Sequence, residues 1–388
     1  MNSAILTPEF QDYLKTIEHE DIKSIGLKKS LFSSITPAEI AQQLKGLHVS
    51  KHKFPTLYKT ENIFFPPSIN LEQASSEATA NYKASLIKGK SLIDLTAGFG
   101  IDTMSFAQNF EKVYHIEQNE ELSEIVKHNA SILAPNLATF TGTFQAFLKQ
   151  NPSLKFDVIY LDPARRNTSG RKFILEDLEP NILECLPIFF EKSDKIIIKL
   201  SPLLDITSTL QQINYISEIH IVALKNEVKD FLLILDKNQS SKNPVIKAVN
   251  LENNQSDFEF LYEDEHYANA KFGDVSKYIY EPNVSILKTG AFKLLSEKFD
   301  LIKLHPNTQL YTSEQIIEDF PGKIYHVENH INNPKKEILK TKANLLVKNF
   351  NQPIDVIKKK FKIVDGGATT LIFTQSIEGF RILKTSRI

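Results

Sequence analysis

The chain has 388 residues, long for one hydrophobic core and enough for two or three domains. With 41% apolar and 24% charged residues it has an ordinary soluble globular composition. Its formal net charge of −1 means that no whole-chain field calls for a nucleic-acid partner.

The charge is nevertheless uneven. Residues 331–388 hold 12 Lys and Arg against 4 Asp and Glu, a surplus of +8 that leaves the remainder near −9. That concentration points the C-terminal part towards phosphate, or describes a solvated lysine-rich face. Cys185 is the single cysteine. It therefore permits neither an intramolecular disulfide nor a cysteine zinc cluster, and suits a reducing compartment. The opening MNSAILTPEFQDYLK lacks the apolar stretch of a signal peptide. No run approaches the roughly 18–20 apolar residues of a membrane span, so a cytoplasmic protein with no membrane partner is expected.

In chain order, residues 1–85 read as a helical domain. Phe10, Leu14 and Ile17 have amphipathic spacing, and Thr36-Pro37-Ala38-Glu39 has an N-cap residue followed by proline at the first helical position. KHKFPTLYKTENIFFPPSIN, with its three prolines and four aromatics, predicts an irregular packed segment, and LEQASSEATANYKASLI a helix. From Ser91 short β-like runs alternate with helical stretches: SLIDL, KVYHIE, ATFTG, DVIYLD, KIIIKL, EIHIVA and FLLILD. The first five are spaced for crossover helices. The last two are joined by LKNEVKD, too short for a crossover, so they form a hairpin. The expectation is an α/β doubly wound, Rossmann-like sheet of seven strands with the last antiparallel, over residues 86–240. KNQSSKNP then marks a boundary. Beyond it, residues 244–330 give β-like runs and one helix, and residues 331–388 a basic αβ unit, both read as small α+β modules.

SLIDLTAGFGIDTMSFA carries the strongest chemical signal. A strand ends in Asp94, a turn over Thr96 and Ala97 carries Gly98 and Gly100, and a helix starts near Asp102. Glycines let a backbone approach a ligand closely, and a helix N-terminus favours a negative group. Thr103 stands where a nicotinamide-binding loop would have its third glycine. Asp94 suits a ligand bearing an ammonium or sulfonium charge. The pattern favours S-adenosylmethionine over a nicotinamide cofactor, with a ligand-free glycine turn as the remaining reading. Glu117, 17 residues beyond Gly100, ends the next strand, where a carboxylate can accept hydrogen bonds from both ribose hydroxyls. Phe144 and Gln145, after the third strand, are placed to clamp an adenine, although Phe144 is equally suited to a core.

VIYLDPARRNTSGRK (158–172) sets a buried-type strand against concentrated positive charge. It is the fourth strand, next to the first across the topological switch point, where open α/β sheets bind ligands. Asp162 and Pro163 then stand beside a transferable group. Arg165, Arg166, Arg171 and Lys172 are placed to grip phosphate; alternatively, Asp162 caps the turn and the arginines pair with Glu176 or Asp177. Ser201 and Pro202, after the fifth strand, are expected to line the far side of the pocket. No histidine pair has metal-ligand spacing with a third ligand; His326 and His330 read as a surface pair, and no metal is expected.

On these residues, Ser91 to about Asp236 resembles the class I S-adenosylmethionine-dependent methyltransferases. DLTAGFGID is similar to their first motif, YHIEQN to the second, and YLDPAR to the Asn/Asp-Pro-Pro-Tyr/Phe/Arg motif of base-modifying members. LEQASSEATANYK, DPARR, KLSPLLDI, YIYEPNVSILKTGAF and LHPNTQLYTS resemble a bacterial methyltransferase group with ferredoxin-like and THUMP-like modules. The resemblance implies a ferredoxin-like module at 241–325, a THUMP-like one at 326–388, S-adenosylmethionine as cofactor and RNA as partner. It leaves open a catalytically silent RNA-binding adaptor. Less favoured is an NAD-dependent oxidoreductase, against which the absent third glycine, Asp94 and the terminal hairpin speak. The chain departs from the motif where Ala164 replaces proline and Arg165 an aromatic that would stack a flipped base. Phe173 or the FPTLYKTENIFF segment is then expected to supply that ring.

Overall fold

The computed structural model describes residues 1–27, 29–165, 174–239 and 243–388. The chain forms two compact units: Met1–Ser217 with Asp230–Lys242, and Glu218–Lys229 with Asn243–Ile388.

The first unit opens with helices, among them α1 (Pro8–Thr16), α2 (Pro37–Lys53) and α3 (Glu77–Ser85). Thr36 caps α2 in a full capping box, its side chain accepting from the Glu39 amide while Glu39 accepts from the Thr36 amide. The aromatic segment expected to be irregular contains two helical turns, Pro55–Lys59 and Ser68–Gln73. The first opens on Pro55, whose fixed φ suits a first helical position, and the second directly follows Pro67.

The sheet consists of β1 (Gly89–Asp94), β2 (Phe110–Glu117), β3 (Leu137–Thr141), β4 (Val158–Leu161) and β5 (Lys195–Leu200), all parallel. Every β4 residue and Ile196–Ile198 of β5 are buried, as befits strands covered on both faces. Between the strands lie α4 (Ile101–Phe106), α5 (Glu120–Leu133), α6 (Phe144–Gln150) and α7 (Ile182–Lys192). The order is β3-β2-β1-β4-β5, so the chain reverses direction of winding at β1/β4 and a crevice opens at the strands' carboxyl ends.

The hairpin comprises β6 (Ile216–Leu224) and β7 (Glu227–Asp236). Phe231–Asp236 of β7 pairs antiparallel with β5, so the last strand is antiparallel as expected. From Glu218 onward β6 belongs to the second unit. There it pairs in parallel with β8 (Val245–Leu251), which pairs antiparallel with β9 (Phe258–Leu261). These two strands extend the strand set beyond the expected seven.

The rest of the second unit is a sheet running from residue 271 to 387. It includes β10 (Tyr278–Pro282), β11 (Ile302–His305), β12 (Thr308–Ser313), β13 (Gly322–His330), β14 (Asn344–Lys348), β15 (Thr369–Ser376) and β16 (Gly379–Arg387). Ile279, Leu304, Leu310, Tyr325, Ile372 and Leu383 form one of its cores. Where one helix was expected, Val284–Thr289 and Phe292–Lys298 are separate helices. Gly290, at φ 78°, ends the first in the left-handed conformation.

Candidate active site

Asp94 closes β1 and is 1% exposed. Its Oδ1 accepts from the Thr96 amide at 3.1 Å and its Oδ2 from the Thr103 hydroxyl at 2.6 Å. Thr103 therefore ties the following helix back to the strand from the position of the absent third glycine. Burial pushes the Asp94 carboxyl up to about 8. The intervening loop turns on Gly98 (φ 54°) and Gly100 (φ 77°), both left-handed. The tip of β2 holds Gly98 from both sides. The Gly98 amide donates to Glu117 Oε2 at 3.1 Å, and Gly98 O lies 3.1 Å from His115 Nε2. A carbonyl only accepts, so Nε2 carries the proton. Burial lowers the fully buried imidazole to about 4, keeping it neutral. Glu117 Oε1 accepts from the Asn119 amide at 2.7 Å.

These groups face a cavity of about 850 Å³ at the carboxyl ends of the strands. Every residue expected to meet a cofactor lines it: Asp94, Thr96, Ala97, Gly98, Gly100 and Asp102, then Glu117, Phe144 and Gln145. Phe144 is both liner and core, 7% exposed with its ring edge-on to Phe189 at 5.6 Å.

Asp162 enters the same cavity from the end of β4. Its amide donates to Thr96 Oγ1 at 2.6 Å, joining it to the glycine loop. Its Oδ2 accepts from Lys199 Nζ at 2.5 Å. Pro163 is buried, whereas Ala164 and Arg165 are exposed and pair antiparallel with Leu178–Glu179. Arg165 lines the cavity with Glu179 and Pro180. Ser201 and Pro202, both half-buried, do not line it; Lys199 takes the place expected of them. The reason is register. Leu161 pairs with Ile198, so Asp162 and Lys199 are successive partners on one face, and the chain turns after Leu200. Arg166, Arg171, Lys172 and Phe173 lie outside the described residues. The FPTLYKTENIFF segment supplies no ring to the cavity: Phe54, Phe64 and Phe65 are core, and the Tyr58 hydroxyl donates to Glu18 at 2.7 Å.

Against the cavity wall lies an ionic cluster of which the sequence reading named Asp102 alone. Lys83, fully buried on α3, pairs with Asp102 Oδ1 at 2.8 Å and Asp230 Oδ2 at 3.3 Å, and donates to Ser75 Oγ at 2.8 Å. Asp102 Oδ2 accepts from Tyr160 at 2.7 Å and Ser75 at 2.9 Å. Burial alone would raise the Asp102 carboxyl, but Lys83, Lys199 and Tyr160 hold it below its ordinary value. Burial likewise depresses Lys199, and the carboxylates of Asp162, Asp230 and Asp102 more than reverse this, so its ammonium stays protonated. The only trace in the sequence is a single charge inside an apolar run, as in KIIIKL.

A Cβ at Gly98 would meet nothing within 4 Å, while one at Gly100 would meet Val126 Cγ1 at 3.0 Å. The loop thus leaves open space at Gly98 beside the Glu117 carboxylate and is packed from behind at Gly100. That arrangement fits a nucleoside-bearing cofactor approaching the backbone.

Residues 89–241 match the family described as RNA cap guanine-N2 methyltransferase, and residues 278–321 match a ferredoxin-like domain. No curated protein gives a match. A candidate methyltransferase from Porphyromonas gingivalis W83 is similar in structure over 99% of this chain and 98% of its own, with 29% identity and a TM-score of 0.89. An rRNA methylase from Streptococcus thermophilus is 15% identical over 42% of this chain and 95% of its own, with a TM-score of 0.31. A candidate Streptococcus mutans methyltransferase in complex with S-adenosylhomocysteine is 12% identical over 41% of this chain and 95% of its own, also at 0.31. Taken with the parallel sheet, its antiparallel final strand and the glycine loop after β1, the match over residues 89–241 and the full-length likeness support a class I S-adenosylmethionine-dependent methyltransferase built on residues 89–241.

Proposed function

We propose that the chain methylates a base in RNA at an exocyclic amine. The observation that carries this reading is the match of residues 89–241 to the RNA cap guanine-N2 methyltransferases, with a carboxylate, Asp162, at the tip of the strand adjoining the glycine loop. Bound in the cavity, S-adenosylmethionine supplies an electrophilic methyl group on a sulfonium. Glu117 accepts from the ribose hydroxyls, and Phe144 and Gln145 hold the adenine. Gly98 and Gly100 give the close backbone approach, with Thr96 and Ala97 shaping the loop. Asp94, which burial holds protonated in the free chain, supplies countercharge as the positive charge of the cofactor favours its ionised form. Asp162 accepts a hydrogen bond from the acceptor amine, and Pro163 stiffens its backbone; orientation of this kind accounts for most of the rate in a displacement at an activated methyl. Arg165 grips a phosphate of the substrate. Ser201 and Pro202, away from the cavity, are left to a contact with RNA outside it.

The basic C-terminal part, read as THUMP-like, supports the RNA assignment. Lys335, Lys336, Lys340, Lys342, Lys359, Lys360 and Lys362 are all exposed there, as a phosphate-binding face requires. We place this activity in the cytoplasm; among the described residues no helix is long and apolar enough to cross a membrane.

The test is calorimetric titration with S-adenosylhomocysteine, followed by transfer of labelled methyl to total cellular RNA. Micromolar binding and labelled RNA are expected. Asp162→Ala should keep the binding and lose transfer by about a hundredfold. Binding without any labelling of RNA would reject the RNA reading.

A further inference from the structure

Among the described residues, the cavity holds one cation to which the proposed reaction gives no role. Lys199 stands at the end of β5, its side chain 14% exposed, against Asp162 at 36%. A lysine in KIIIKL interrupts a strand whose neighbours Ile196, Ile197 and Ile198 are fully buried. Burying an ammonium costs free energy, and a well-packed apolar side chain would serve stability as well or better. Register adds that the pairing is built in: Leu161 faces Ile198, so the next pair along two parallel strands is Asp162 with Lys199. Lys199 engages Oδ2 alone, at 2.5 Å, and among the described residues Oδ1 has no hydrogen-bond partner. The Asp162 amide is fixed separately, to Thr96 Oγ1 at 2.6 Å. Backbone and one carboxylate oxygen are thereby anchored, and the second oxygen is left for a ligand.

We propose that Lys199 is a positioning residue of methyl transfer: it pins Asp162 by Oδ2 and so aims Oδ1 at the amine that receives the methyl group. The inference rests on the reading of Asp162 as the group that orients the acceptor. Lys199 touches neither donor nor acceptor and acts through the carboxylate. Burial lowers its proton affinity, but the carboxylates of Asp162, Asp230 and Asp102 outweigh this, so the pin stays charged at neutral pH.

The test uses the full chain with Lys199→Met, which keeps the bulk of the side chain and removes the ammonium. Labelled methyl transfer to total cellular RNA, S-adenosylhomocysteine titration and a crystal structure of the variant with S-adenosylhomocysteine are read together. The expected result is a kcat reduced by about a hundredfold, as for a displaced reacting group. KM for RNA and affinity for S-adenosylhomocysteine should each change less than about threefold, uniform binding being untouched. Lys199→Arg should restore part of the rate, and Asp162 in the Lys199→Met crystal should leave its single orientation. An unchanged kcat, or a loss of cofactor affinity in step with kcat, overturns the proposal. If the wild-type protein labels no RNA, the RNA reading fails by itself, and the Asp162 orientation still decides this inference: a carboxylate that stays in place without Lys199 overturns it.

Discussion

Around the glycine loop the cavity is built from neighbours in sequence. Gly98 and Glu117 are 19 residues apart, and Asp94 and Thr103 only nine, all within one strand-loop-helix-strand run. Around Asp162 it is built from distant pieces. Lys199 comes from 37 residues away, and the cluster beneath joins Lys83 to Asp230 across 147. Water access divides the site along another line, since Asp94 and Lys83 are buried while Asp162 keeps a third of its side chain exposed. Where charge is sealed in, its loss should be felt in stability; where charge meets solvent, in rate.

The contrast is tested most severely at Lys83. Lys83→Met takes from Asp102 and Asp230 their nearest countercharge, and is expected to cost about 3–5 kcal/mol of unfolding free energy, read by urea titration. Lys199→Met should shift the same transition by less than about 1 kcal/mol, because its partner is partly solvated. Equal losses would dissolve the distinction. Next in size, Glu117→Ala should weaken S-adenosylhomocysteine binding by about 10- to 100-fold in calorimetry, the worth of hydrogen bonds to a charged group.

Asp94 sharpens the comparison through pH. Its carboxyl sits at about 8 in the folded chain and near the ordinary aspartate value of about 4 when unfolded, so between these values the native state binds the extra proton. Wild-type stability should therefore fall as pH rises from about 4 to 8. Asp94→Asn should remove that decline while weakening cofactor binding, as paired thermal melts and titrations at pH 6 and 8 would reveal. A modest effect on stability is expected at Gly98. Gly98→Ala meets no neighbour and should cost only the left-handed strain of about 1–2 kcal/mol, visible as a modest fall in melting temperature.

What could be read from the sequence follows the same division. DLTAGFGID and Glu117 were legible because the loop, its helix and the next strand tip are close in the chain, and glycine at positive φ leaves a trace in composition. DVIYLD placed Asp162 because a buried strand ending in Asp-Pro is itself a local pattern. Lys83, Tyr160, Lys199 and Asp230 were not legible as a group, since their partners are fixed by strand order and register, which no short stretch encodes. The single helix expected before residue 330 failed for a local reason that was present in the sequence, Gly290. Ser201-Pro202 was chosen over Lys199 because turn residues after a strand are a familiar signal, whereas pleat alternation needs the neighbouring strand.

The hairpin of β6 and β7 has a consequence for the order in which this protein can mature. Neither compact unit is one uninterrupted stretch, because the first reclaims Asp230–Lys242 after the second has begun. A nascent chain emerging from the ribosome exposes Lys83 long before Asp230 exists to neutralise it. Domains that are contiguous in sequence can fold one after another during synthesis. Here the methyltransferase unit must wait for a strand translated after part of its neighbour, and a chain stalled at Ser217 would hold a glycine loop, a cavity and a buried lysine lacking one of its two carboxylates.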